Sequence, residues 1–216
     1  MLEATELECT RGERRLFRDL SLRVDAGQCL YVAGANGAGK TSLLRILAGL
    51  LLPQSGAVRW RGRDIARARE EFGSDLAFVG HLNGIKDELT ALENVRFAAA
   101  LRGADASEAA AMGALARMHL ADYCDVFARH LSQGQKRRLA LTRVCVADPP
   151  VLWILDEPYN ALDAAAVESL QALLDAHLAA GGMVVLTAHQ QVAMPSGAHR
   201  LELNPGHGQA AGRGES

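Results

Sequence analysis

Four short, nearly unbroken apolar runs punctuate the chain, at residues 28–33, 76–79, 151–155 and 183–187. Runs of this length without alternation predict strands covered on both faces. Helix-like segments separate them, so the pattern predicts an α/β fold: a mostly parallel sheet joined by crossover helices. Between Gly56 and Gly62 the pattern changes, with Val58 and Trp60 alternating with Arg59 and Arg61. That period of two predicts a half-exposed antiparallel strand, and hence a small β accessory element near the N-terminus. From about Thr90 to Leu131 the strand signals give way to alanine-rich helical composition, opening on Thr90-Ala91-Leu92-Glu93, a capping-box spacing. This predicts an inserted helical subdomain, taken as about residues 82–146 within a single domain over 1–203. The tail, 204–216, is rich in Gly, Ala and polar residues and has too few apolar side chains to order itself.

Composition narrows the function classes. A chain of 216 residues that is 49% apolar can bury a core of its own. Its 23 basic and 25 acidic residues give a net charge of −2, which offers no footprint for a polyanion, so no nucleic acid partner is expected. The four cysteines, Cys9, Cys29, Cys124 and Cys145, show no C-x-x-C spacing, which fits a reducing compartment better than a zinc site or a disulfide framework. The longest apolar stretch, near residues 46–52, is far below the ~18 residues that span a bilayer. Residues 1–6 are acidic where a secretory signal is basic, and Arg14-Arg15 reads as a solvated basic pair.

The strongest chemical signal is Gly34-Ala35-Asn36-Gly37-Ala38-Gly39-Lys40-Thr41, which matches G-x-x-x-x-G-K-S/T between a predicted strand and a helical pattern beginning at Ser42. Its glycines let the backbone wrap so that successive N–H groups point at phosphate oxygens, helped by the helix N-terminus. Lys40 reaches the β and γ phosphates of ATP, and the Thr41 hydroxyl is offered to Mg²⁺.

The run Val151-Leu152-Trp153-Ile154-Leu155 ends in Asp156 and Glu157. Two carboxylates at the end of a buried strand require a cation nearby. Mg²⁺ held by Asp156 supplies it, and Glu157 is placed to polarise an attacking water. In Leu131-Ser132-Gln133-Gly134-Gln135, Ser132 suits an N-cap and Gly134 a close backbone approach, a second anion site ahead of a helical run. Lys136, Arg137 and Arg138 follow and read as a salt-bridged or solvated basic face. His189 stands after the last apolar run, at the sheet end where catalytic groups gather, and is assigned to the γ-phosphate. His119, His130, His177, His199 and His207 read as packed or solvated.

Taken in order, these motifs resemble the ABC ATPase family over essentially the whole chain: Walker A at 34–41, the signature at 131–135, and Walker B at 151–156 with Glu157 after it. The Ala161-Leu162-Asp163 D-loop and the H-loop His189 complete the set. The resemblance implies a head-to-tail homodimer in which Ser132, Gly134 and Gln135 of one copy face the ATP held by the other. Two departures stand out. Where the family usually carries the Q-loop glutamine, this chain reads Phe78-Val79-Gly80-His81, which puts His81 at that position. Where an aromatic usually stacks on adenine it reads Thr10-Arg11-Gly12-Glu13, which leaves Arg11 as the platform, since a guanidinium also stacks on a base. Phe17, the competing candidate, reads as core.

Residues 79–86, 89–94, 152–158 and 181–190 together look like the branch of the family that serves cytochrome c biogenesis. That likeness implies a peripheral ATPase on the cytoplasmic face of the bacterial inner membrane. It would pair with a separate integral membrane permease subunit and other cytochrome c maturation proteins, and power a haem-handling or export step. No C-x-x-C-H motif marks a haem site in this chain itself. The alternatives are a transporter ATPase for another substrate and a soluble ABC ATPase outside transport. Against a coiled-coil type of the latter, Lys40 and Leu131 are only 91 positions apart.

Overall fold

The computed structural model describes residues 1–145, 150–188, 195, 197–204 and 207–208. In chain order the elements are β1 (Leu2–Arg11), β2 (Arg14–Val24), β3 (Cys29–Gly34), α1 (Lys40–Leu47), β4 (Ser55–Trp60), β5 (Arg63–Asp64), α2 (Arg69–Asp75) and β6 (Leu76–Val79). There follow α3 (Ala91–Leu101), α4 (Glu108–Arg117), α5 (Gln133–Leu141), β7 (Leu152–Leu155), α6 (Ala164–Ala179), β8 (Met183–Thr187), β9 (His199–Asn204) and β10 (His207–Gly208). The strands form a four-stranded sheet in the order β2-β1-β4-β5 and a six-stranded sheet in the order β10-β9-β3-β8-β7-β6. In the larger sheet β6 to β9 and β3 run parallel, and only β10 is antiparallel.

All four apolar runs are strands of the parallel sheet, and each is sandwiched as its composition requires. Along β7, Leu152 and Ile154 face the core shared with α1 and the smaller sheet, while Trp153 and Leu155 face the core shared with α3 to α6. Burying both faces is what removes the polar alternation from the sequence.

The accessory element is larger than the Val58–Trp60 alternation indicates. β4 pairs antiparallel with β1, and β1 with β2. The alternation in β1 is interrupted by a register shift between Ala4 and Leu7, with Glu6 at φ 49°. The extra residue lets Leu2 and Ala4 on one side of the bulge, and Leu7 and Cys9 on the other, all point into the core. Opposite the bulge a Cβ on Gly56 would collide with the Thr5 carbonyl oxygen, so the glycine is sterically required there.

The helical region opens as expected. Thr90 caps α3 and Glu93 closes the capping box, an arrangement whose loss costs about 1 kcal/mol. The buried side chain of Asn94 ties the preceding loop down, accepting from the Lys86 N–H at 2.7 Å and donating to the carbonyls of Lys86 and Thr90, each at 2.9 Å. All four cysteines are free thiols. Among the described residues no helix is long and apolar enough to cross a membrane. Asn204 ends β9 and residues 207–208 pair with it. The rest of the tail, 205–206 and 209–216, lies outside the described residues.

Candidate functional site

The glycine-rich loop joins β3 to α1 at the carboxyl end of the parallel sheet. Its backbone is left-handed at Gly37 (φ 77°) and Gly39 (φ 103°), and a Cβ on Gly39 would sit 3.0 Å from that of Leu16. Glycine is therefore dictated by both conformation and space. The loop closes on itself through the Ala38 N–H to Ala35 carbonyl bond at 3.1 Å. α1 starts without a side-chain cap, so its first N–H groups have no side-chain acceptor. Lys40 is only 7% exposed, and its ammonium donates to the carbonyls of Gly34 at 2.7 Å and Ala35 at 3.2 Å. The loop thus wraps around its own cation.

β7 delivers Asp156 and Glu157 to the same end of the sheet. Asp156 is 1% exposed; its Oδ1 accepts the Thr187 hydroxyl at 2.8 Å, while Oδ2 has no protein partner among the described residues. Thr187 also accepts the Glu157 backbone N–H at 2.8 Å, and Asn160 donates to the Glu157 carboxylate. Glu157 itself is left-handed, at φ 52°, an uncommon conformation for a residue that carries a Cβ.

A cleft of about 510 Å³ is lined by Arg11, Asn36, Lys40, Thr41, His81 and Glu157, together with Ser42 and Arg14. Residues assigned separately to adenine, phosphate, metal, Q-loop position and base are thus brought into one space. An orphaned buried carboxylate oxygen on Asp156 and a hydroxyl on Thr41 are the hard oxygen donors that Mg²⁺ takes, so the residues fit that ion. The signature residues do not line this cleft. Ser132 and Gln135 instead form a reciprocal capping box at the start of α5, with Ser132 exposed. Gly134 lies under the D-loop, where a Cβ would come 2.5 Å from the Ala161 carbonyl oxygen. Asp163 caps α6 through the Ala166 N–H at 2.9 Å. His189 lies outside the described residues.

The basic trio separates into three environments. Lys136 pairs with Asp87 at 3.0 Å, and Arg138 approaches Asp163 at 3.9 Å, both in line with a salt-bridged face. Arg137 departs from that reading, because it is buried at 5% exposure and bonds backbone carbonyls at the strand ends. Burial lowers its pKa below the usual arginine value, and the Asp156 and Glu157 charges oppose that shift. The Arg14-Arg15 pair also divides: Arg15 pairs with Glu8 at 3.1 Å, while Arg14 lines the cleft. Phe17 is fully buried, as read. His177 is packed, stacked on Trp153 with ring centroids 3.8 Å apart.

Comparison with known proteins agrees with this geometry. Residues 17–160 match the family described as ABC transporter. The chain is 52% identical over 93% of its length to the "Cytochrome c biogenesis ATP-binding export protein CcmA" of Dechloromonas aromatica, covering 98% of that protein. It is 54% identical to the protein of that name from Aromatoleum aromaticum over 88% of this chain and 89% of the relative. Among solved structures, an ATP-binding subunit of an ABC transporter superposes with a TM-score of 0.87 at 27% identity, covering 98% of this chain and 89% of that one. A dimeric ATP-binding cassette bound to ADP and Pi shares the fold, with a TM-score of 0.84 at 23% identity over 97% of each chain.

Proposed function

The chain belongs to the ABC transporter family as an ATP-binding subunit, and from that premise we propose that it drives a haem-handling or export step of cytochrome c maturation. As an ABC ATPase it couples ATP hydrolysis to translocation. The observation that carries the residue-level reading is the shared cleft of Lys40, Thr41, His81 and Glu157.

In this reading the N–H groups of residues 34–39 and the Lys40 ammonium hold the β and γ phosphates, joined by Thr41 and Ser42 at the start of α1. Lys40 exchanges the carbonyls of Gly34 and Ala35 for phosphate oxygens. Thr41 and the unpartnered oxygen of Asp156 would hold Mg²⁺, which would supply positive charge against the phosphates. Glu157 accepts the proton of the attacking water, and Asn160 and Thr187 hold that residue in place. His189 hydrogen-bonds the γ-phosphate, and Arg11 stacks on adenine.

Two copies pack head to tail, so that Ser132, Gly134 and Gln135 close the site of the partner and Asp163 lies at the junction. The exposed Ser132 and its place outside its own cleft support this. His81 carries the coupling to a separate integral membrane permease subunit on the cytoplasmic face of the inner membrane. Leu82, Phe97 and Leu101 leave apolar surface exposed, which supports a protein partner near the helical subdomain. Residues 1–203 act as one ATPase domain.

Purification in mild detergent is the test. A co-purifying integral membrane protein, bound haem and Mg²⁺-dependent ATP hydrolysis are expected. A chain that purifies alone, and whose deletion leaves c-type cytochromes mature, overturns the assignment.

A further inference from the structure

Arg137 has no task in the mechanism above, yet it makes four hydrogen bonds at the sheet's carboxyl end. It is the fifth residue of α5, and its side chain leaves that helix to meet two segments. Nη1 donates to the Gly80 carbonyl at 2.8 Å and to Asn83 Oδ1 at 3.1 Å. Nη2 donates to the carbonyls of Asp156 at 2.6 Å and Glu157 at 2.9 Å. A planar fork with fixed donors can satisfy four acceptors from two loops at once, which an ammonium cannot.

The placement links two things that otherwise lie apart. Ser132 caps the helix that carries Arg137, and a helix of nine residues moves as a rigid unit over that distance. At the other end, the two carbonyls belong to Asp156 and Glu157, the residues proposed to hold the metal and to activate the water. Gly80 and Asn83 flank His81, which lines the same cleft.

We propose that Arg137 is a positioning residue that locks the signature helix to the hydrolytic strand end, so that contact of Ser132 with the ATP of the partner protomer sets the placement of Glu157 in its own protomer. The inference rests on the head-to-tail dimer proposed above. In its terms each site reports its occupancy to the other through one guanidinium, and the loop at His81 is carried along.

The test is a double-mutant cycle on the full chain with Ser132→Ala and Arg137→Lys, reading kcat, KM and the cooperativity of ATP turnover. Arg137→Lys keeps the cation but loses the fork. It is expected to lower kcat by between about tenfold and a hundredfold, the scale of a misplaced catalytic group, with ATP affinity by calorimetry within about twofold of wild type. Cooperativity should fall, and the double variant should turn over no more slowly than the slower single one. Additive losses, or wild-type cooperativity in Arg137→Lys, overturn the proposal. A purely structural brace would lower the thermal midpoint and leave cooperativity untouched. Should Arg137→Lys not fold, Arg137→Gln, which keeps a planar donor, takes its place in the cycle with the same readings. The dimer reading fails separately: wild-type protein would then hydrolyse ATP without cooperativity and Glu157→Gln would form no ATP-dependent dimer.

Discussion

The Thr187 hydroxyl donates to Asp156 Oδ1 across adjacent strand ends at 2.8 Å, which leaves Oδ2 as the one buried oxygen of that carboxylate with no protein partner among the described residues. The same hydroxyl accepts the Glu157 N–H. Thr187→Val would orphan both an acceptor and a donor. Stability is expected to fall by about 1–3 kcal/mol, the cost of leaving buried polar groups unpaired, and ATP turnover to fall with it. Urea denaturation and a phosphate-release assay check this, and a Thr187→Val protein equal to wild type in both contradicts the role given to the hydroxyl.

Glu157→Gln keeps the side-chain volume and an acceptor for Asn160 but removes the proposed base. Turnover is expected to drop by about 10²–10⁴, the usual contribution of a positioned base, while ATP still binds. The ATP-bound protein should elute as a dimer in gel filtration. Undiminished hydrolysis would remove Glu157 from the mechanism.

Gly134 offers a steric test of the signature. A Cβ there would come 2.5 Å from the Ala161 carbonyl oxygen, so Gly134→Ala must displace the D-loop before any charge is introduced. Turnover should be lost already in Gly134→Ala, with a stability cost of about 1–3 kcal/mol typical of overpacking. In the proposed dimer Gly134→Asp would add repulsion of the partner's phosphate to the same clash, so the alanine variant is the informative control. Wild-type turnover in Gly134→Ala would show that the D-loop yields freely.

His177, stacked on Trp153, has its pKa lowered below 6.5, chiefly by burial. The folded state therefore prefers the neutral ring, and the unfolded chain binds the proton more readily. Stability from this group is present above pH 6.5 and is lost as pH falls from 6.5 through the lower folded value. His177→Phe should flatten the fall in thermal midpoint over that acidic window. An equally steep fall in His177→Phe would assign the dependence to other groups.

The strands of the parallel sheet are legible because burial on both faces writes an unbroken apolar run, and the phosphate loop is legible because its glycines answer to local backbone geometry. β1 is obscured because its bulge slips the alternation between Ala4 and Leu7, so no single period of two fits the strand. Thr187 is hidden for another reason: a threonine in a strand reads as an ordinary β-former, and its acceptor is 31 positions away in sequence. Arg137 left a signal that composition masks. It falls in helical register with the buried Ala140, Leu141 and Val144, but its charge groups it by eye with Lys136 and Arg138. Asn160 could be placed beside Glu157 only once the strained turn after β7 was known.

The self-solvated ammonium of Lys40 bears on phosphate binding. The carbonyls of Gly34 and Ala35 hold it inside the glycine-rich segment and tie that segment together. Arrival of ATP is then a swap of ligands on a ready-made frame, with little chain ordering to oppose it. The same two carbonyls compete with any phosphate for the lysine, so the net pull of the site is smaller than the bare charge of Lys40 suggests.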